Sequence, residues 1–515
     1  MRKNLKRIFL SIFLLSTTVA WAQNRVITGT VTEKGNVPIP GVTVVVKGTT
    51  YGTTTNPDGY YSLQVPDDAT VLSFSFVGYQ PKDVAIANQK VINVELDPTV
   101  TELEEVVVVG YGTQKIANVS GAISTVKSND IEAQKPVRIE EAFQGRSSGI
   151  SVIQGGSPGS KPTVLIRGIP SFTGTDPLVI IDGIQQTIDD LNSIDPADIA
   201  SVNVLKDASA TAIYGVKGGN GVIVITTIKG RTNQKAEFSF NSYFGTQQVT
   251  KKIGMLNATE YAAIINEGSV AAGGDVIFPD LSTLGVGTNW QDEIFKTAAV
   301  SSNSLSVKGG GEKVAYFLST SYLSQGGIVG GSDKSNFNRA NVTANLDFDL
   351  TKRLKFILNT NYANISGKSV AENAFNSIIG SALNFDPTVS VYNTVPNTVG
   401  TYGYSNLLLS EIFNPLTKLE NTYNESNGNK IYGKGELQYK ILDNLKLTSR
   451  LGYTKWDEVG KSFTPLVFYG PLNVENTMNA DGTTVTGKHN SVNEYSNSAF
   501  SFNYETFANY NIKIN

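Results

Sequence analysis

Three kinds of hydrophobic patterning follow one another along the chain. Over 25–96 the apolar residues come in short runs at 26–32, 42–47, 59–65, 71–77 and 91–96. Turn chemistry separates these runs: Pro38, Pro40 and Gly41 in one place, and Asn56, Pro57, Asp58 and Gly59 in another. Short strands at regular spacing between such punctuation predict a small all-β sandwich.

From 121 to about 230 the pattern turns to mixed α/β. Ile139, Ala142 and Phe143 share one face and predict a helix over 138–145. Apolar runs at 163–166, 178–181 and 222–227 predict strands buried on both sides. Asp195, Pro196, Ala197, Asp198 and Ile199 predict the opening of a short helix, with Asp195 as cap and Pro196 in its first turn.

Beyond Arg231 the period becomes two. Val342, Ala344, Leu346 and Phe348 point one way, while Asn341, Thr343, Asn345 and Asp347 point the other. Leu354, Phe356, Leu358 and Tyr362 oppose Lys355, Asn359 and Asn361, and a further pair sets Leu437, Tyr439 and Ile441 against Glu436, Gln438 and Lys440. After Asp443 and Asn444, Leu445, Leu447 and Leu451 alternate with Lys446, Thr448 and Arg450. One apolar and one polar face suit either a soluble sandwich or an outer-membrane barrel with a polar lumen, and periodicity alone does not separate them. Short turns at 350–353 and 442–444 alternating with long polar stretches at 367–429 and 460–494 favour the barrel. The run 236–515 holds about eight candidate strands, against roughly 22 in a plugged transporter barrel. The expectation is a chain that stops partway through its barrel.

Between the sandwich and the α/β segment, after a linker at 97–102, lie Glu104, Glu105, Val106, Val107, Val108, Val109, Gly110, Tyr111, Gly112, Thr113, Gln114 and Lys115. This is a strong strand former with no hairpin partner evident beside it. An unpaired strand can dock on another protein's sheet, and a buried strand of either neighbouring domain is the equal alternative.

The amino end is basic through Arg7, then apolar or small over 8–20, with Ala20, Trp21 and Ala22 in the small-x-small form of a cleavage site. The apolar stretch is shorter than the roughly 20 residues of a spanning helix. A signal peptide over 1–22 and an exported chain are expected.

The 515 residues are 40% hydrophobic and 17% charged with 49 glycines, enough for several folded, glycine-rich β domains. A net charge of −3 supplies no basic field for phosphate backbones, so no nucleic-acid partner is expected. With no cysteine there is no disulfide framework, thiolate metal site or lipidated cysteine. The single histidine, His489, sits in a polar loop and makes a poor base.

Two catalytic-looking patterns fail on context. Gly155, Ser157 and Gly159 match a nucleophile elbow, but Pro158 and the distant His489 argue for a plain turn. Gly428, Gly433, Lys434 and Gly435 approach a phosphate loop, yet Gly435 replaces the required hydroxyl residue and the segment belongs to an alternating strand. Adjacent carboxylates Asp189 and Asp190, like Glu104 and Glu105, diverge instead of flanking a substrate and are expected to be solvated. No enzyme activity, metal or cofactor is expected.

The stretch from Glu105 to Lys115 resembles the TonB box region of SusC/RagA-type TonB-dependent transporters. The motifs after it match that family's plug: Gln144, Gly145 and Arg146; Ile166, Arg167 and Gly168; Ile181, Asp182 and Gly183; Lys206, Asp207 and Ala208; Tyr214 and Gly215. The sandwich resembles the carboxypeptidase-regulatory-like domain, without implying a peptidase. Leu256, Asn257, Ala258, Thr259, Glu260 and Tyr261 are similar to the family's linker after the first strand.

The resemblance implies a mainly β chain: sandwich at 25–97, linker with TonB box at 98–117, plug at 118–231, partial outer-membrane β-barrel at 232–515. It implies TonB binding by Glu105, Val106, Val107, Val108, Val109, Gly110 and Tyr111, with the ExbB and ExbD energising complex behind TonB. The plug motif would comprise Arg167, Gly168, Asp182, Gly183, Lys206, Asp207, Tyr214 and Gly215. Polar contacts of Arg167, Lys206 and Asp207 with the barrel wall are one reading of these charges, and solvated surface charge is the equal alternative for Lys206 and Asp207. It further implies an outer-membrane location with lipid around the barrel, box and sandwich in the periplasm, and a SusD-like surface lipoprotein as lid. The cargo would be an oligosaccharide, or a peptide as in some relatives. Tyr402, Tyr404, Phe468 and Tyr469 are candidates for stacking on sugars or for an interfacial girdle. A receptor that signals without transporting, and a secreted glycan-binding or adhesive β protein, are the rival readings.

Overall fold

The structure is a computed structural model that describes residues 25–511 apart from 34, 36, 98–105, 110–111, 116–121, 170–173, 373, 394–399 and 409. The expected signal peptide lies outside the described residues. The chain divides into two compact units, Met1–Val106 and Val107–Asn515.

The first unit is a sandwich of two four-stranded sheets. In one, Arg25–Glu33 pairs with Tyr60–Val65, with Val37–Pro38 and, in parallel, with Val94–Glu95. In the other, Thr43–Val46 lies between Gly52–Thr54 and Val71–Ser75, and Lys82–Ala85 closes the edge. Alternation decides what is buried: Tyr61, Leu63 and Val65 of one strand face Ile27, Val44, Leu72 and Phe74. The Tyr61 ring meets Phe74 edge-on at 5.5 Å and its hydroxyl donates to the Ile92 carbonyl at 2.8 Å. The segments 37–38, 52–54 and 82–85, too short to show a period, are strands the hydrophobic pattern does not mark.

The valine run is paired. Val106–Val109 and Gly112–Lys115 form a two-stranded sheet, which corrects the expectation of a strand without a neighbour. A lone strand leaves its peptide groups unmatched, and the next extended segment supplies the match.

Among the described residues the plug contains seven strands: β1 (Ile123–Lys127), β2 (Ile150–Ile153), β3 (Thr163–Ile166), β4 (Leu178–Ile181), β5 (Ile184–Gln186), β6 (Ile199–Leu205) and β7 (Val222–Thr227). Five make a mixed sheet in the order β1-β6-β7-β4-β5, with only β4 and β7 parallel. Central β4 and β7 are buried on both faces, as their unbroken apolar sequence predicts. β3 differs: it pairs only with β2, so Thr163 stays exposed while Val164 and Ile166 are buried. The helix expected at 138–145 is a 3-10 turn, Ile139–Phe143, that buries Ile139, Ala142 and Phe143.

The wall is an eight-stranded antiparallel meander in which every strand pairs with its sequence neighbours. Its strands are β8 (Glu237–Gln247), β9 (Ala298–Gly310), β10 (Val314–Gly326), β11 (Asn336–Asp349), β12 (Leu354–Lys368), β13 (Tyr423–Leu442), β14 (Leu445–Thr464) and β15 (Ser491–Tyr510). The sheet is not closed: β8 and β15 are its two edges. β13 to β15 are 20 residues each, about twice what crosses a bilayer, and absorb part of the two long polar stretches. The rest of those stretches is not uniformly polar. Ile378, Phe385, Ile412, Leu416 and Leu419 pack with Trp290, Ile294 and Val329 into a separate apolar cluster.

Candidate functional site

The wall is inside out relative to a soluble sheet. On β11, Asn341 is 1% exposed while Val342 beside it is 53% exposed. On β14, Arg450 is 8% and Leu451 50% exposed. Asn345, Asn359, Asn361, Lys430, Lys434, Glu436 and Thr448 are all buried, whereas Phe240, Leu318, Tyr362, Leu437 and Phe502 are not. Water would drive the opposite choice of face.

The polar face is buried because the plug sits against it. Asn345 Nδ2 donates to Thr227 Oγ1 at 2.9 Å and to the Ile228 carbonyl at 2.7 Å. Asn341 Nδ2 donates to the Ser193 carbonyl at 2.6 Å, and Arg339 Nη1 to that of Asn192 at 3.2 Å. Gln186 Nε2 donates to Thr454 Oγ1 at 2.9 Å. Buried Lys430 pairs with Asp190, so Asp190 is not the bare solvated charge expected from its sequence, and Asp189 faces Lys161 at 3.3 Å. The apolar component is small: Tyr432 is the wall's member of the buried plug core.

Asp182 and Gly183 form the two-residue connection between β4 and β5, with φ of 49° and 87°. Positive φ at both positions is what a type I′ hairpin turn requires, hence a small polar residue followed by glycine. The Asp182 carboxylate accepts from the Thr227 amide at 3.2 Å and from the Thr227 hydroxyl at 2.5 Å. The Gly183 carbonyl accepts from Arg450 Nη1 of the wall at 2.9 Å. Arg450 is itself fixed by Glu436, whose Oε2 also accepts from Lys434 at 2.9 Å. This turn is therefore the motif pair that meets the wall.

Arg167, Lys206 and Asp207 do not. Arg167, left-handed at φ 59° and followed by Gly168 at 93°, pairs with Asp207. Asp207 also accepts from the Ala122 amide, and Lys206 donates to Ser124 Oγ and the Ser148 carbonyl. These contacts lie inside the plug and tie down the start of β1, because Lys206 and Asp207 directly follow the end of β6 that pairs with it, and Arg167, just past β3, holds Asp207. The Ala122 amide, then Arg167, hold the Asp207 carboxyl below its ordinary range. Tyr214 packs on the cluster around Leu205 and Val222, and Gly215 kinks the chain between two helical turns. Glu105, Gly110 and Tyr111 lie outside the described residues. Val106–Val109 is extended.

Sequence reasoning missed Asp198, Arg138 and Glu140. Arg138 and Glu140 form a fully buried ion pair at 2.5 Å, with Arg138 Nη1 also donating to the Gly159 carbonyl at 3.1 Å. The only sequence signal was two charges at the edge of an apolar turn. Of the loop aromatics, Tyr404 meets Phe468 edge-on at 5.3 Å, while Tyr469 stacks on Phe413 at 4.6 Å and Tyr402 on exposed Tyr392 at 5.8 Å. His489 is exposed, and after irregular Gly155, Ser157 lies in a bend and Gly159 in a turn.

Residues 27–108 match the CarboxypepD_reg-like domain, and 115–222 match the TonB-dependent Receptor Plug Domain. "TonB-dependent receptor P3" of Formosa agariphila is 34% identical over 504 residues, covering 95% of this chain and 48% of that relative. "TonB-dependent receptor SusC" of Bacteroides thetaiotaomicron is 34% identical over 461 residues, covering 84% and 44%. The chain thus spans about half the length of the curated relatives it matches. Among solved structures, the RagAB peptide importer in the 'closed-closed' state has a TM-score of 0.63 at 22% identity, covering 77% of this chain and 46% of that one. Its 'open-open' state gives 0.62 at 24%, covering 80% and 47%. These likenesses show a shared fold.

Proposed function

Since the chain belongs to the SusC/RagA-type TonB-dependent receptors, we propose that it carries the coupling segment, the plug and part of the wall of an outer-membrane nutrient importer. The observation that carries this reading is the inverted wall, with apolar side chains facing out and amides, hydroxyls and charges facing the plug. That arrangement suits lipid on one side and a polar, movable stopper on the other. It also disfavours the secreted β protein, which would bury its apolar faces.

In this reading, residues 1–22 are a signal peptide, 25–97 a periplasmic sandwich, 98–117 the tether, 118–231 the plug and 232–515 wall. TonB, energised by ExbB and ExbD, pairs with the free edge of Val106–Val109. A two-stranded sheet leaves one edge of each strand open, so pairing with Gly112–Lys115 is compatible with that docking. The pull then reaches β1, where Asp207 and Lys206 hold the plug's first strand. A SusD-like lipoprotein captures the ligand, an oligosaccharide or, as in the RagAB importer, a peptide.

The test is uptake by the full-length protein carrying Val108→Pro, which removes one ladder donor. Uptake is lost while surface abundance is unchanged. Wild-type uptake in that variant would sink the coupling role.

A further inference from the structure

We propose that Asp198 is a positioning residue that locks the plug onto wall strands β10 and β11, and that the lock is closed by a proton and loosened when that proton leaves. The inference rests on the plug-within-wall reading of the site, and on nothing about cargo.

Asp198 is 1% exposed. A single carboxylate oxygen, Oδ2, accepts from Ser319 Oγ at 2.7 Å and from Thr343 Oγ1 at 2.6 Å. Ser319 and Thr343 are directly opposed across the β10–β11 ladder, so one plug atom staples a cross-strand pair. Thr343 is held in turn by Asn361 Nδ2 of β12 at 2.9 Å. The carboxylate has little freedom to retreat. Its backbone amide donates to the Asp195 carbonyl at 3.0 Å, and its carbonyl accepts from the Ile228 amide at 2.8 Å.

The charge around it does not balance. Asp195 comes from the same 3-10 turn, Arg339 from β11, and Tyr432 from β13 brings a phenol, with Tyr243 of β8 beyond Arg339 and Asp195. Arg138 also faces Arg339 but is matched by Glu140, so one unmatched guanidinium faces two carboxylates where water is excluded. Burying a net charge is costly unless a proton neutralises it. Burial first, and then the Asp195 charge, push the Asp198 carboxyl up to about 7, against the opposing pull of Ser319, Thr343 and Arg339.

The sign follows. An unseated plug exposes Asp198 to water, where its ordinary value is 3.8. Seating then takes up a proton, is strongest in mild acid, weakens as pH rises from about 4 to about 7, and levels off above that.

The test is hydrogen exchange of the plug segment 196–205 in the full-length protein in outer-membrane vesicles, without ligand or TonB. Protection is expressed as wild type over Asp198→Asn at each pH, so that intrinsic exchange cancels. The expected ratio falls by up to about tenfold per pH unit between pH 5 and 7 and is flat above. A ratio independent of pH overturns the proposal. Should Asp198→Asn fail to assemble, the double variant Ser319→Ala and Thr343→Val serves instead. Losing two donors moves the transition to higher pH, and an unmoved transition overturns the proposal equally. Because no transport is measured, a failed uptake experiment and a failed lock remain distinguishable.

Discussion

Arg450 of the wall donates Nη1 to the backbone carbonyl of Gly183 in the plug at 2.9 Å, across 267 residues of sequence. The contact needs glycine twice over. At φ 87° a side chain is strained, and a Cβ there would lie 2.4 Å from that same nitrogen. Gly183→Ala is expected to destabilise the seated plug by about 1–3 kcal/mol from backbone strain alone. Thermal unfolding of the detergent-solubilised protein reads it, and an unchanged midpoint would show that this turn is not under load.

Behind Arg450, Lys434, Glu436 and Arg450 share a buried carboxylate, their side chains being 6%, 4% and 9% exposed. Removing the anion leaves Lys434 and Arg450 facing each other in the seam, with the longer Arg450–Glu505 contact at 3.5 Å as partial compensation. Glu436→Ala should cost about 3–5 kcal/mol, the usual result of breaking a buried pair on one side. Lys434→Met together with Glu436→Leu, which removes one charge of each sign, should cost far less. Equal losses in the two variants would mean that charge is not what matters there.

The outward face makes the membrane claim quantitative. Val342 stands exposed in the middle of β11, between buried Asn341 and Thr343. Val342→Arg is expected to destabilise the folded barrel by about 2–4 kcal/mol if that position faces the bilayer core, and to reduce assembly in the outer membrane. In a water-soluble sheet the same change would be neutral, and chemical denaturation in vesicles separates the two.

The plug's entry strand should respond to acid in the sense opposite to Asp198. The depressed Asp207 carboxyl contributes stability that is present above its ordinary 3.8 and lost as pH falls through its lower folded value. Wild-type protein should therefore lose thermal stability relative to Asp207→Asn as pH is lowered below about 4. Parallel curves for the two proteins would show that the Ala122 contact carries no weight.

How much of this was legible in sequence varied with the distance between partners. Tyr61, Leu63 and Val65 declare a buried face by alternation alone, and Asp182 followed by Gly183 declares its turn by φ preference. The wall's two faces were equally plain, but period two is symmetric: it marks Val342 and Asn341 as opposite without saying which is inside. The plug decides that, and its contacts lie far off in sequence, Asp198 with Ser319 and Thr343 being 121 and 145 residues apart. No local pattern marks such pairs, so the role of Asp198 is not legible from its neighbours in sequence. For Arg167 and Asp207 the sequence left wall contact open, and for Asp207 solvated charge as well, whereas the two pair with each other.

The meander has a consequence for biogenesis. Strands paired only with sequence neighbours can zip up one hairpin at a time, at low cost in loop closure. On the membrane reading proposed above, Leu318, Val342 and Leu451 would meanwhile lie bare in an aqueous compartment, inviting aggregation, until lipid covers them. The plug precedes the wall along the polypeptide, and Asn341, Asn345 and Arg450 each donate to its backbone carbonyls or hydroxyls. A chaperone that keeps the later hairpins apart until the earlier segment has folded would give the wall a template to pack against.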